Sequence, residues 1–359
     1  MQFDRRFQQL AGIDLPIVLA PMAGPGTPEL AIAVAEAGGL GSLPCAFLDV
    51  DAARAGLGII RQRTSKPINL NFFCHKPARF DAEREAGWRQ SLSRYYDEFG
   101  IDPQTRSPNT DREPFGEAHC SLVEELRPEI VSFHFGLPER SLLARVKATG
   151  AKVIASATIV DEAKWLEQAG CDAIIAQGAE AGGHRGMFLT GDVHAQIGTM
   201  ALVPQVVDAV SVPVIAAGGI GDARGIVAAL ALGASAVQIG TAYLFCPEAS
   251  VSAVHARALR EGQANGTALT NVFTGRPARG IVNRVMREVG PLSDKVPDFP
   301  LAAGALAPLR QATEPGGGGD FMPLWSGQAA ALAVELPAGD VTRRLWSEAS
   351  AKLGLPQIG

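Results

Sequence analysis

One histidine set among glycines is where this chain could do chemistry. In Ala176-Gln-Gly-Ala-Glu-Ala-Gly-Gly-His-Arg-Gly186, which follows the apolar run Asp172-Ala-Ile-Ile175, four of the nine residues from Gly178 to Gly186 are glycine, and His184 lies among them. Glycine lets the backbone pass close to a bound ligand, and imidazole takes or gives a proton near neutral pH. The chemistry on offer is proton transfer at a ligand held against the main chain. A glycine-rich connection with an incidental solvated histidine is the competing reading of this segment taken alone.

A second group of residues could hold a phosphate. Gly218 and Gly219 free backbone N–H groups at one turn, Gly240 and Thr241 do so at the next, and a helix start nearby would add its positive end. Glycine pairs that only permit tight turns are the alternative. Asn71 and Gln177 each donate and accept, as the polar edge of a heterocycle requires, although either could be a core amide satisfied by backbone. His75 and His134 stand at the ends of apolar runs, where they could line a pocket or make a structural hydrogen bond. Arg276, Arg279 and Arg284 gather in Thr274-Gly-Arg-Pro-Ala-Arg-Gly-Ile-Val-Asn-Arg284 and could reach an anionic substrate, a solvated salt-bridged loop being the equal alternative. His194 and His255 have no companions at metal-ligand spacing, so no metal is expected.

These residues need elements to position them. At 359 residues the chain exceeds the roughly 250 of a (β/α)8 barrel, leaving a remainder for insertions or a cap. Hydrophobic residues at 47% against 19% charged describe a folded globular protein, and a net charge of -5 gives no electrostatic reason to expect nucleic acid or an anionic membrane. The 5 cysteines are scattered, with no Cys-x-x-Cys pair, and read as reduced thiols. The polar start Met1-Gln-Phe-Asp-Arg-Arg-Phe, followed by neither a secretory apolar core nor a small-residue cleavage site, predicts no signal peptide, and no apolar run approaches the ~20 residues that span a bilayer. The expected compartment is the cytoplasm.

Eight short apolar runs alternate with helical periodicity, the pattern of a parallel sheet wrapped by helices. They are Ile17 to Ala20, Leu40 to Leu43, Ile68 to Phe73, Ile130 to Phe135, Lys152 to Ala157, Ala173 to Gln177, Val214 to Ala217 and Ala236 to Gly240. Their number predicts a closed (β/α)8 TIM barrel over residues 1–246, with chemistry gathered where strands end. An insertion at about 74–118 interrupts it, holding a charged helix from Asp81 to Phe99 and then the turn-rich Asp102 to Asp111. Residues 247–325 predict a mostly helical substrate cap, and 326–359 a helical segment returning to the barrel wall.

Ala20-Pro-Met22, Asn69-Leu-Asn71, the His184 segment, Ala216-Ala-Gly-Gly-Ile220, Gln238-Ile-Gly-Thr241 and Phe273-Thr-Gly-Arg276 together resemble the nitronate monooxygenases, formerly called 2-nitropropane dioxygenases. The resemblance runs from about residue 15 to 330 and is nearest the bacterial and fungal class I group. It implies a barrel that holds FMN and oxidises alkyl nitronates, propionate 3-nitronate among them, with O2 to carbonyl compounds and nitrite. It assigns Asn71, Gln177, Gly182, Gly219, Gln238, Ile239, Gly240 and Thr241 to FMN, Met22 to the flavin ring through its backbone, and His184 to the role of base; Gly183 and Gly218 beside them are further candidate cofactor contacts. His134 and Arg276 are the candidate substrate contacts. Flavin-dependent enoyl-acyl carrier protein reductases resemble the chain in barrel, FMN cradle and histidine but would consume NAD(P)H. A flavoprotein that binds without turnover is a third reading, since fold alone does not establish chemistry. The oligomeric state is left open.

Overall fold

The computed structural model describes residues 3–105, 113–261 and 266–355. The end of the turn-rich insertion, from residue 106 to 111, lies outside them.

All eight apolar runs are strands, with ends shifted by at most a residue. In chain order they are β1 (Ile17–Leu19), β2 (Gly41–Pro44), β3 (Ile68–Phe73), β4 (Ile130–His134), β5 (Lys152–Ala157) and β6 (Ala173–Gln177); then, after a two-residue strand β7 (Gly183–His184), β8 (Val214–Ala217) and β9 (Ala236–Ile239). The eight long ones pair in parallel in the order β1-β9-β8-β6-β5-β4-β3-β2. A parallel bridge from Val18 to Leu40 joins the two ends, so the sheet is a (β/α)8 TIM barrel.

Alternation along these strands sorts their side chains into two populations. Val18, Ile130, Ile154, Ala173, Ile215 and Ala236 fill the barrel's amino-terminal end together with Phe7 and Ala11 of α1 (Arg6–Ala11). The intervening residues, such as Leu19, Leu70, Val131, Val153, Ile174 and Val237, face outward into the helical layer. Continuing the inward parity to the carboxyl ends brings Asn71, Ser132, His134, Ser156, Gln177 and Gln238 to the inner rim. Apolar residues plug the bottom, and polar ones line the top.

The outer layer contains α2 (Pro28–Glu36), α3 (Val50–Arg63), α5 (Glu117–Leu126), α6 (Arg140–Ala148), α7 (Val160–Gln168), α8 (Thr199–Ala209) and α9 (Ala223–Ala231), while α4 (Ala82–Glu98) lies in the insertion. Local chemistry sets their starts. Thr27 Oγ1 accepts from Leu30 N at 3.0 Å ahead of Pro28, and Asp222 caps Arg224 and Gly225.

The region after β9 is less helical than its sequence suggests. It contains α10 (Ala253–Glu261), α11 (Arg284–Val289) and α12 (Ala303–Thr313), but also β10 (Thr267–Thr270) and β11 (Ala278–Ile281), which form an antiparallel sheet with β7 in the order β10-β11-β7. The final segment is irregular from residue 326 to 337 apart from one short turn of helix. Only α13 (Ala338–Leu353) is a true helix, and it returns to the wall against α2 and α9.

The insertion and the region after β9 share a second core. Trp88, Leu92, Tyr95 and Tyr96 of α4, spaced as one helical stripe, are buried with Val272, Phe273, Met286, Leu306 and Phe321. Trp88 Nε1 donates to the Ala302 carbonyl at 3.2 Å, and Tyr96 donates to that of Ala305 at 2.6 Å.

Candidate active site

His184 is carried by β7, whose partner is β11: Ala278 pairs with His184, and Arg279 with Gly183. The Arg185 amide adds a bond to the Pro277 carbonyl at 2.9 Å. Beneath the loop the fully buried Arg185 guanidinium donates to the carbonyls of Gln177 (2.6 Å) and Gly178 (2.7 Å) and to Gln196 Oε1 (2.7 Å). Burial pushes its pKa down to about 9, which still leaves it charged at neutral pH. The glycines that suggested a ligand loop are thus stitched to the barrel by an arginine beside the histidine.

The His184 ring sits in an aromatic enclosure. Its Nε2 lies 2.9 Å from Thr274 Oγ1, and its centroid is 5.4 Å from Phe299, 5.5 Å from Trp325, 5.9 Å from Phe135 and 6.2 Å from Phe73. Phe73 ends β3 and Phe135 follows β4, whereas Thr274, Phe299 and Trp325 come from beyond the barrel. Phe135 holds φ at +70°, a conformation that costs a bulky L-residue of order 1–3 kcal/mol. That strained turn aims its ring at Phe73, His134, His184 and Phe299.

Two rim residues turn toward the histidine loop. Gln177 Nε2 donates to the His184 carbonyl at 3.0 Å, and Gln177 Oε1 accepts from Gly186 N at 2.8 Å. His134 spends one ring nitrogen on that same carbonyl at 3.1 Å and the other on Ser156 Oγ at 3.1 Å. The expectation that His134 contacts substrate meets an obstacle here, because both its nitrogens have protein partners. The Gln177 amide likewise has both ends engaged by the loop.

The residues expected to cradle a phosphorylated cofactor lie on neighbouring strand ends. Gln177, Ala217 and Gln238 are in register across β6, β8 and β9. Gly218 and Gly219 follow at φ +108° and +70°, and a Cβ on Gly218 would sit 3.0 Å from the Gly178 carbonyl, so a side chain there is opposed by both torsion and space. Gly240 is less confined, its φ being ordinary and its added Cβ meeting Ala20 Cβ at 3.3 Å and Met22 Sδ at 3.7 Å. Gln238 Oε1 is buried without a hydrogen-bond partner. Asn71 donates to Ser132 Oγ at 2.9 Å. Thr241 Oγ1 accepts from Gly327 N at 2.9 Å, and a Cβ on Gly182 would collide with that same Gly327 amide. Gly183, at φ +72°, has open space where a side chain would go. Ile239 points away, its side chain belonging to the outer core.

The three arginines separate. Arg279 is buried on the Ala179 carbonyl (2.8 Å) and Thr267, and Arg284 pairs with Glu98 and Glu288, tying α11 to the insertion. Arg276 lies 4.0 Å over the Phe135 ring and donates to the Met187 carbonyl at 2.8 Å; burial brings its pKa down to about 10. No carboxylate among the described residues forms an ion pair with it.

Thr274, Ser156, Phe299 and Trp325 were not singled out from the sequence. Ser156 had one readable signal, a hydroxyl at inward parity near the end of a buried strand. Phe299 and Trp325 come from irregular chain and had none. No group of three or more metal-binding side chains occurs among the described residues, and no helix among them is long and apolar enough to cross a membrane.

The family model for nitronate monooxygenase matches residues 5–348. The chain belongs to the nitronate monooxygenase family. Two nitronate monooxygenases are similar over nearly the whole chain: one from Pseudomonas aeruginosa, 45% identical and covering 96% of this chain and 98% of its own, and one from Paraburkholderia phytofirmans, 42% identical and covering 96% and 94%. In three dimensions the chain resembles nitroalkane oxidase from Streptomyces ansochromogenes, with TM-score 0.88, 37% identity and coverage of 97% and 99%. FabK from Thermotoga maritima is more distant, at TM-score 0.71, 27% identity and coverage of 99% and 98%. As a nitronate monooxygenase family member the protein is an oxidoreductase, and its family supports oxidation of nitronates.

Proposed function

We propose that the protein binds FMN and uses O2 to oxidise alkyl nitronates, a carboxylate-bearing one such as propionate 3-nitronate included, to a carbonyl compound and nitrite. The observation that carries this reading is the His184 imidazole, held by Thr274 within an aromatic enclosure at the carboxyl end of the barrel. The cradle suits a flavin mononucleotide. Gln238 supplies a buried, unpartnered carbonyl oxygen, and the turns at Gly218, Gly219 and Gly240 bring backbone to a place that a Cβ would fill.

Gly218, Gly219, Gly240 and Thr241 would receive the phosphate, Asn71 and Gln238 would meet the polar edge of the ring, and Met22 would touch it through its backbone. Gln177, Gly182 and Gly183 would complete that side by holding the loop in place. Bound there, FMN would supply the redox chemistry between nitronate and O2, which side chains alone do not offer. His184 takes the α-proton from a neutral nitroalkane, or orients the anion when the proton is already gone. Thr274 fixes the ring for that task. Phe73, Phe135, Phe299 and Trp325 exclude water, which strengthens the electrostatics of the enclosure. Arg276, a half-buried cation that forms no ion pair with a carboxylate among the described residues, would attract an anionic group of the substrate.

Purified protein mixed with propionate 3-nitronate under air should form nitrite and consume O2 without NADH. The FabK likeness defines the other arm: oxidation of NADH with a crotonyl thioester, and no nitrite, would overturn the proposal. Bound flavin with neither activity would leave a binding protein.

A further inference from the structure

The His184 carbonyl has two side-chain donors, and one of them reveals its own protonation. A carbonyl only accepts, so His134 must carry its proton on Nε2, 3.1 Å away; its Nδ1 then accepts from Ser156 Oγ, also 3.1 Å away. Burial holds this imidazole neutral, taking its pKa down to about 3, with the Arg276 and Arg185 guanidiniums pushing the same way. The second donor, Gln177 Nε2, reaches the same oxygen at 3.0 Å.

The loop fits closely onto these groups. A Cβ on Gly186 would lie 2.9 Å from Ser156 Cβ and 3.0 Å from His134 Cε1. Turning the peptide after His184 has to break both carbonyl bonds and lift the chain from that surface. On the other side the segment is fixed by β11 and, through the ring, by Thr274.

We infer that His134 is a positioning residue: a neutral donor, oriented by Ser156, that anchors the backbone of residue 184 from inside the barrel and so sets where the His184 ring can reach. It acts through His184 and holds no part of the substrate. The inference rests on the reading of His184 as the base, but its geometry can be tested separately.

Glutamine can place an amide donor where Nε2 stands, whereas asparagine reaches only the Nδ1 position. In His134→Asn, kcat on a neutral nitroalkane should fall about 10- to 100-fold, the scale of a slightly misplaced catalytic group, with KM little changed. His134→Gln should recover most of that loss. Hydrogen exchange of the 182–188 amides should accelerate in His134→Asn and stay near wild type in His134→Gln. Nitrogen NMR of labelled histidine should show His134 protonated on Nε2 alone at neutral pH. A proton on Nδ1, exchange unchanged in every variant, glutamine as damaging as asparagine, or an effect confined to KM would overturn the inference. If His184→Asn retains nitroalkane activity, the base reading falls, while the exchange and tautomer results still decide whether His134 anchors the loop.

Discussion

His184 Nε2 and Thr274 Oγ1 stand 2.9 Å apart although ninety residues separate them, the histidine on the loop after β6 and the threonine on the connection from β10 to β11. A ring nitrogen held by a hydroxyl keeps the ring in one orientation. Thr274→Val removes the hydroxyl at nearly constant volume and should lower kcat on nitroalkane about 3- to 10-fold, the worth of one net hydrogen bond. Thr274→Ser should restore it. Equal kcat in valine and wild type would mean that packing alone orients the ring.

Replacing the histidine separates two substrates. General base catalysis contributes about 10² to 10⁴ in rate, and only the neutral nitroalkane needs its α-proton removed. His184→Asn should nearly abolish nitroalkane oxidation, retain flavin, and keep a larger share of nitronate oxidation. Loss of both activities together with the flavin would make His184 structural.

The cradle is tested by occupancy. Gly219 has φ +70°, and a Cβ there would lie 3.3 Å from Glu180 Cβ, so Gly219→Val is strained in torsion and crowds Glu180 at the turn proposed to receive the phosphate. Released chromophore per protein should drop well below wild type, and the wild-type chromophore should be FMN. Full occupancy in the valine variant, or FAD, would place the cofactor differently.

Among the arginines only Arg276 should discriminate substrates by charge. Arg276→Ala should raise KM for propionate 3-nitronate by about 10-fold or more, as expected for a lost charged hydrogen bond, and raise it much less for an uncharged alkyl nitronate. Arg284→Ala should show no such difference, since Arg284 serves Glu98 and Glu288. A parallel rise for both substrates in Arg276→Ala would reduce its role to holding Met187.

The buried neutral His134 also gives stability a pH dependence. Its pKa falls from 6.5 to about 3 on folding, so between those values the unfolded chain binds the extra proton and stability rises with pH. Above about 6.5 the contribution is constant. Urea midpoints measured from pH 4 to 7 should therefore climb less in His134→Gln than in wild type. Parallel slopes would show that the native histidine protonates freely.

The barrel was legible because strands buried on both faces read as short apolar runs, and eight of them between helical segments leave few alternatives. β7 was not, since two residues beside glycines carry no alternation, and with it the sheet of β10 and β11 was missed. For the site, His184 and the glycine turns stood out by type and spacing. The enclosure did not: Thr274, Phe299 and Trp325 meet His184 only through tertiary folding of irregular chain. Ile239 shows the opposite limit, since its place in a motif concealed an outward parity that Ile17 and Leu19, its neighbours in the outer core, share.

The second core imposes an order on the birth of the site. Trp88 finds its acceptor at Ala302, 214 residues later, an interval of roughly 10 to 40 s at 5–20 residues per second of synthesis. Through that interval the aromatic stripe of α4 waits uncovered, while most of the barrel behind it is made. Thr274 and Phe299 arrive with the chain that finally covers the stripe. His184 is thus translated before Thr274 and Phe299 exist to enclose its ring, and the closing of the α4 stripe and the completion of that enclosure become a single late event.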